Sequence, residues 1–95
     1  MNLPENTFKR RLLVGEPQIG VWATIPDASV VEAMAGAGFD WILIDTEHTP
    51  VEVSTIPGLL QAAAPYATSA IVRPVVNDTA LVKRHLDQAA QTLLP

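Results

Sequence analysis

The chain has 95 residues, 48% of them hydrophobic and 17% charged, with a formal net charge of −4 at pH 7 and no cysteine. This composition allows at most one domain with a small core. It excludes a disordered chain, a disulfide framework, a thiolate metal site and a thiol nucleophile. A pI near 4.9 argues against a nucleic-acid partner, which would want a broad basic face.

Lys9, Arg10 and Arg11 form the one basic cluster. They are expected on the solvated face of a first helix, Phe8 to Val14, capped by Asn6 or Thr7 and stopped by Gly15. The residues before it lack the basic and apolar regions of a leader peptide. No apolar run approaches the ~20 residues that span a bilayer. The expectation is a cytoplasmic protein with no membrane partner.

Ile19-Gly20-Val21-Trp22-Ala23 reads as a short strand. Asp27 caps a helix whose apolar positions Val30, Val31, Met34 and Ala35 fall at helical spacing, and Gly36 and Gly38 mark its end. Trp41-Ile42-Leu43-Ile44 is an uninterrupted apolar run, as expected of a parallel strand covered on both faces. A loop from Asp45 to Pro50 leads to a helical segment, Val53 to Ala64, in which Pro57 should kink the helix or shift its start. Ser69 to Val72 is a third strand, leading to Arg73-Pro74. Asn77 or Asp78 caps a last helix bearing Leu81, Val82, His85, Leu86 and Ala89 on one side. Gln91 to Leu94 begins a fourth strand.

Strands alternating with helices through short connections imply right-handed crossovers and a parallel α/β sheet. The turn after the first strand, Ala23-Thr24-Ile25-Pro26-Asp27, has no glycine. A doubly wound nucleotide-binding domain would need one there. The favoured fold is the N-terminal half of a (β/α)8 barrel, residues 1–95 forming one incomplete domain, since a whole barrel takes about 250 residues.

Active sites of parallel β/α proteins lie at the C-terminal ends of the strands. That rule gathers Trp22, Asp45, Glu47, His48 and Arg73 on one rim. Asp45 and His48 are spaced for a carboxylate to orient an imidazole, although a turn cap beside a solvated histidine would read the same way. Arg73 suits an anion, or a salt bridge to Glu47 or Asp45. Glu47 reads as a metal ligand, a supporting carboxylate or plain surface, and Trp22 as pocket wall or core. His85 falls on the apolar stripe and is expected to be partly buried with its hydrogen bonds satisfied. Asp87 is by default a helix-surface carboxylate. Lys9 and Lys83 lie on helices, so no rim lysine is offered for a Schiff base.

Gln18-Ile-Gly-Val-Trp22, the block from Ala35-Gly-Ala-Gly-Phe-Asp-Trp to Asp45-Thr-Glu-His48, Ala64-Pro-Tyr66, Val72-Arg-Pro74, Asn77-Asp78, and Leu86-Asp87 through Gln91-Thr-Leu-Leu94 resemble the HpcH/HpaI aldolase family in order along nearly the whole chain. The resemblance implies a class II carbon–carbon lyase that cleaves a 4-hydroxy-2-oxo acid to pyruvate and an aldehyde. It implies a divalent cation (Mg²⁺, Mn²⁺ or Co²⁺) as Lewis acid and a homo-oligomer, the family hexamer. By position, His48 would be the base, Asp45 its orienter, Arg73 the pyruvate and enolate ligand, Trp22 a pocket wall, and Asp87 a residue near a neighbouring subunit's site.

Thr46 stands where the family commonly has glycine, a change expected to stiffen the loop or redirect Glu47. The family's two metal-binding carboxylates fall beyond Pro95. The chain is therefore expected to be an N-terminal fragment, inactive alone, with no metal ligand of its own. Two alternatives remain open on the residues: a non-catalytic half-barrel that oligomerises or binds a relative, and a citrate-lyase-like enzyme acting on CoA thioesters.

Overall fold

The computed structural model describes residues 5–94; Met1–Pro4 and Pro95 lie outside the described residues. The elements follow the chain as α1 (Thr7–Leu13), β1 (Gly20–Ala23), α2 (Ala28–Ala35), β2 (Trp41–Asp45), α3 (Ile56–Ala63), β3 (Ser69–Arg73) and α4 (Thr79–Asp87). The three strands form one parallel sheet in the order β1-β2-β3. The expected fourth strand is present only as an isolated parallel bridge from Val72 to Leu93 beside β3, with Val72 N–H to Thr92 O at 3.0 Å and Leu94 N–H to Val72 O at 2.9 Å; no further strand pairs with the sheet among the described residues.

Capping chemistry fixes the helix starts. Asn6 accepts from the Lys9 amide, Asp27 from Ser29 and Val30, and Asp78, rather than Asn77, from Leu81. Gly15 and Gly38 take positive φ, 73° and 97°, which lets the chain leave α1 and α2 without a Cβ clash. Pro57 sits in the first turn of α3, where its missing N–H costs nothing. It therefore moves the start of the helix instead of kinking it, and Val53–Thr55 becomes a separate 3₁₀ turn.

Strand alternation divides the side chains between two faces. Ala23, Ile42, Ile44 and Val72 join Val31 and Ala35 of α2 and Ile56, Leu59 and Ala63 of α3 in one buried core. The opposite face carries Trp22, Trp41, Leu43, Ile71, Asp45 and Arg73, as the register requires: Trp22 pairs with Leu43, Leu43 with Ile71, and Asp45 with Arg73. On that face Trp22 and Trp41 meet edge to face, with ring centroids 6.5 Å apart. The Trp41 indole also lies over Gly20, where a Cβ would come within 1.9 Å of the ring.

Two expectations need correction. Arg11 is not part of a purely solvated basic face. Its side chain is only 28% exposed and lies 2.7 Å from Asp40 Oδ1, with Glu16 also in contact. Asp40 accepts in addition from the Ile19 amide at 2.8 Å, so one carboxylate ties α1 to the entrances of β1 and β2. These two contacts, the Ile19 amide first, hold the Asp40 pKa below its ordinary value. The second correction concerns α4, where Leu86 is 51% exposed and His85 is the buried residue, at 0%. Neither ring nitrogen of His85 has a hydrogen bond among the described residues. Burial lowers its pKa, against a weaker opposing pull from the nearby Gln88 side chain.

Two measurements test this packing. Gly20→Ala is expected to lose about 1–3 kcal/mol in urea unfolding, the usual penalty for overpacking, and undiminished stability would mean that the Trp41 ring can be seated elsewhere. For His85, the unfolded chain takes up a proton below the ordinary value of 6.5 that the buried ring refuses. Stability should therefore decline as the pH falls from 6.5, with no contribution from this group above it. His85→Leu should flatten that slope, and an unchanged slope would assign it to other groups.

Candidate active site

Asp45 is the last residue of β2 and is 3% exposed. A buried carboxylate must be matched by donors, and three N–H groups face this one. Oδ1 accepts from the amides of Glu47 at 2.8 Å and His48 at 3.4 Å, which is the turn an aspartate makes when it bonds its own chain two residues on. Oδ2 accepts from Trp22 Nε1 at 3.1 Å. Burial pushes the Asp45 pKa up, but the Glu47 amide, the Trp22 indole, the His48 amide and the charge on Arg73 outweigh it. The net shift is downward.

The loop after Asp45 is pinned by hydroxyls. Thr46, itself buried, donates to the Arg73 carbonyl from its amide at 3.1 Å and from Oγ1 at 2.6 Å, joining the ends of β2 and β3. Thr49 Oγ1 donates to the Asp45 carbonyl and accepts from the Val51 amide. The sequence flagged Thr46 only as a departure from glycine and did not flag Thr49. A threonine just past a strand end is the one signal that could have suggested either role.

Glu47 lies between the two remaining groups. Its Oε2 is 2.7 Å from Arg73 Nε and its Oε1 is 3.4 Å from His48 Nε2. The Arg73 Nε is buried and makes no hydrogen bond of acceptable angle, so the 2.7 Å contact is a charge–charge one. His48 is 67% exposed. The expected arrangement, with the Asp45 carboxylate against the His48 ring, is not the one observed. Asp45 reaches the main chain of His48, and the carboxylate beside the ring belongs to Glu47. The cause is that the tight turn and the indole already occupy both Asp45 oxygens.

Trp22, Asp45, Glu47, His48 and Arg73 are thus joined at one edge of the sheet. Asp87 is not: it closes α4 on the exposed surface, and no hydrogen bond or ion pair among the described residues links it to the others. A cleft of about 600 Å³ lies elsewhere, lined by Asn6, Leu60, Ser69, Gln88 and Thr92 among others but by none of the rim residues. Chemistry, rather than volume, locates the site.

No group of three or more His, Cys, Asp or Glu residues that could hold a metal ion is found among the described residues. No helix among them is long and apolar enough to cross a membrane.

The chain is a parallel α/β sheet with an acid, an imidazole and a guanidinium at its C-terminal edge, the edge where parallel β/α proteins carry their sites. Residues 18–95 match the family model for HpcH/HpaI aldolase/citrate lyase, and the chain belongs to that family. It is 55% identical over 94 residues to a hydroxypyruvate/pyruvate aldolase of Paraburkholderia phytofirmans, covering 99% of this chain and 35% of that protein. It is 50% identical over 90 residues to a 4-hydroxy-2-oxo-heptane-1,7-dioate aldolase of Escherichia coli, covering 95% of this chain and 34% of that one. The crystal structure of an HpcH/HpaI aldolase/citrate lyase family protein from Burkholderia cenocepacia superposes with a TM-score of 0.89 at 38% identity, over 94% of this chain and 36% of that chain. The chain therefore spans about a third of the length of the relatives it matches.

The Asp45 pKa gives a testable sign. A carboxylate held low in the folded state adds stability above its unfolded value of about 3.8, and that stability is lost as the pH falls through the folded value. Asp45→Asn should cost about 1–3 kcal/mol near neutrality, because an amide cannot satisfy all three donors. The gap between the two proteins should narrow as the pH drops below 3.8. Parallel unfolding curves at every pH would show that the charge of Asp45 contributes nothing.

Proposed function

We propose that this chain supplies the first strands and the acid–base rim of a (β/α)8 aldolase that cleaves a 4-hydroxy-2-oxo acid into pyruvate and an aldehyde. The observation that carries the reading is the register pairing of Asp45 with Arg73, with His48 three residues past the strand end. Support for a barrel comes from the strand order. The segment after α4 bridges to β3 at Leu93, whereas a doubly wound sheet would reverse direction at a switch point. The packing of α2 and α3 on a single sheet face also suits a sheet that closes on itself.

Within that reading Arg73 binds the carboxylate and keto end of the substrate, as guanidinium groups do. His48 takes the proton from the C4 hydroxyl. The C3–C4 bond then breaks, its electron pair passes into the enolate of pyruvate, and the aldehyde departs. Protonation at C3 completes pyruvate. Asp45 keeps the loop bearing His48 in place, and Trp22 walls the pocket. Asp87 remains a candidate contact to a neighbouring subunit. The ligands of a divalent cation would come from strands other than those present here.

The test is a protein that continues the reading frame past Pro95, assayed for pyruvate release from a 4-hydroxy-2-oxo acid. It should turn over, lose activity with EDTA and regain it with Mg²⁺ or Mn²⁺, while the 95-residue chain stays inactive. His48→Ala should lower kcat by about 10²- to 10⁴-fold, the usual contribution of a general base. Full activity in EDTA would remove the metal-dependent class, and unimpaired turnover by the His48 variant would remove the assigned base.

A further inference from the structure

Two carboxylates face one guanidinium at the rim. The Asp45 pKa is held low, so this group is charged near neutral pH. Glu47 adds a second formal negative charge, and among the described residues Arg73 is the one fixed cation in contact with it. By formal charge, Asp45, Glu47 and Arg73 together carry one negative charge in excess. A small anion approaching Arg73 therefore meets a guanidinium whose charge is already matched.

The placement of Arg73 does not depend on Glu47. Its Cα is fixed in register with Asp45, and its carbonyl takes two hydrogen bonds from Thr46. Pro74 beside it is buried. The contact that Glu47 makes is to Nε at 2.7 Å, with no aligned hydrogen bond. Both side chains keep partial exposure, 26% for Arg73 and 32% for Glu47; the Nε under Glu47 is buried, so a ligand must compete for the guanidinium from its exposed part.

We propose that Glu47 is a specificity-determining residue: its carboxylate covers the Nε edge of Arg73 and its charge sets how tightly the rim takes a 2-oxo acid, penalising dianions more than monoanions. The proposal rests on the reading of Arg73 as the anion-binding group. A ligand's first carboxylate must share Arg73 with Glu47, and a second carboxylate adds repulsion with nothing to offset it.

The experiment uses the 95-residue chain and four proteins: wild type, Glu47→Gln, Glu47→Asp and Arg73→Gln. Pyruvate and 2-oxoglutarate are titrated into each, followed by backbone amide NMR shifts at low and high salt. Glu47→Gln should bind pyruvate about three- to fivefold more tightly, the scale of a partly exposed ion pair. The gain should be larger for 2-oxoglutarate and should shrink at high salt. Glu47→Asp, which keeps the charge, should stay near wild type, and Arg73→Gln should not bind. Equal or weaker binding by Glu47→Gln, with wild type binding and Arg73→Gln silent, overturns the role of Glu47 and leaves Arg73 as the anion site. A Glu47→Asp variant that matches Glu47→Gln removes the charge argument. Binding that survives in Arg73→Gln, or is missing from all four, overturns the inference together with the reading of Arg73.

Discussion

Most of the rim depends on one buried carboxylate. Asp45 sits at the end of the central strand, where water cannot solvate it, and an ionised group there is tolerable only if donors replace the lost hydration. The three that do so come from two parts of the chain. The Trp22 indole reaches across from β1, and the amides of Glu47 and His48 fold back from the following loop. Satisfying one charge thus fixes the side chain of a neighbouring strand and the path of the loop that carries the candidate base.

The sheet makes this arrangement possible through its two unlike faces. One is covered by α2 and α3 and filled with aliphatic side chains. The other carries two indoles, Leu43 and Ile71, and ends in Asp45 and Arg73. Because side chains alternate along a strand, the Asp45–Arg73 pair and the Trp22–Leu43–Ile71 row must share a face once β1, β2 and β3 are in register. The polar rim is the last row of an otherwise apolar surface. Gly20 belongs to the same design, since its missing side chain gives the Trp41 ring its place.

The loop after β2 joins structure to chemistry. Thr46 binds the two strand ends together through the Arg73 carbonyl, and Thr49 braces the turn from the other side. What remains free to respond to a ligand is the triplet of side chains above them, Glu47, His48 and Arg73. They are more exposed than Asp45, and no aligned hydrogen bond joins their side chains among the described residues. A firmly hydrogen-bonded base under less constrained charged groups is what the proposed anion site would need.

Much was legible in the sequence. The alternating strands and helices, the aspartate cap of α2, the uninterrupted apolar run of β2 and the gathering of Asp45, His48 and Arg73 at one edge follow from local periodicity and from the strand-end rule for parallel sheets. Periods of 2 and 3.6 are written residue by residue, so they need no distant partner to be read. Tertiary structure alone decided which carboxylate meets which cation. Asp40 draws Arg11 out of the solvated face, Glu47 rather than Asp45 lies beside the His48 ring, and His85 is buried without hydrogen-bond partners among the described residues. Those outcomes depend on distances between side chains far apart in the chain, or on which lone pairs a turn has already used. Spacing along the sequence encodes neither.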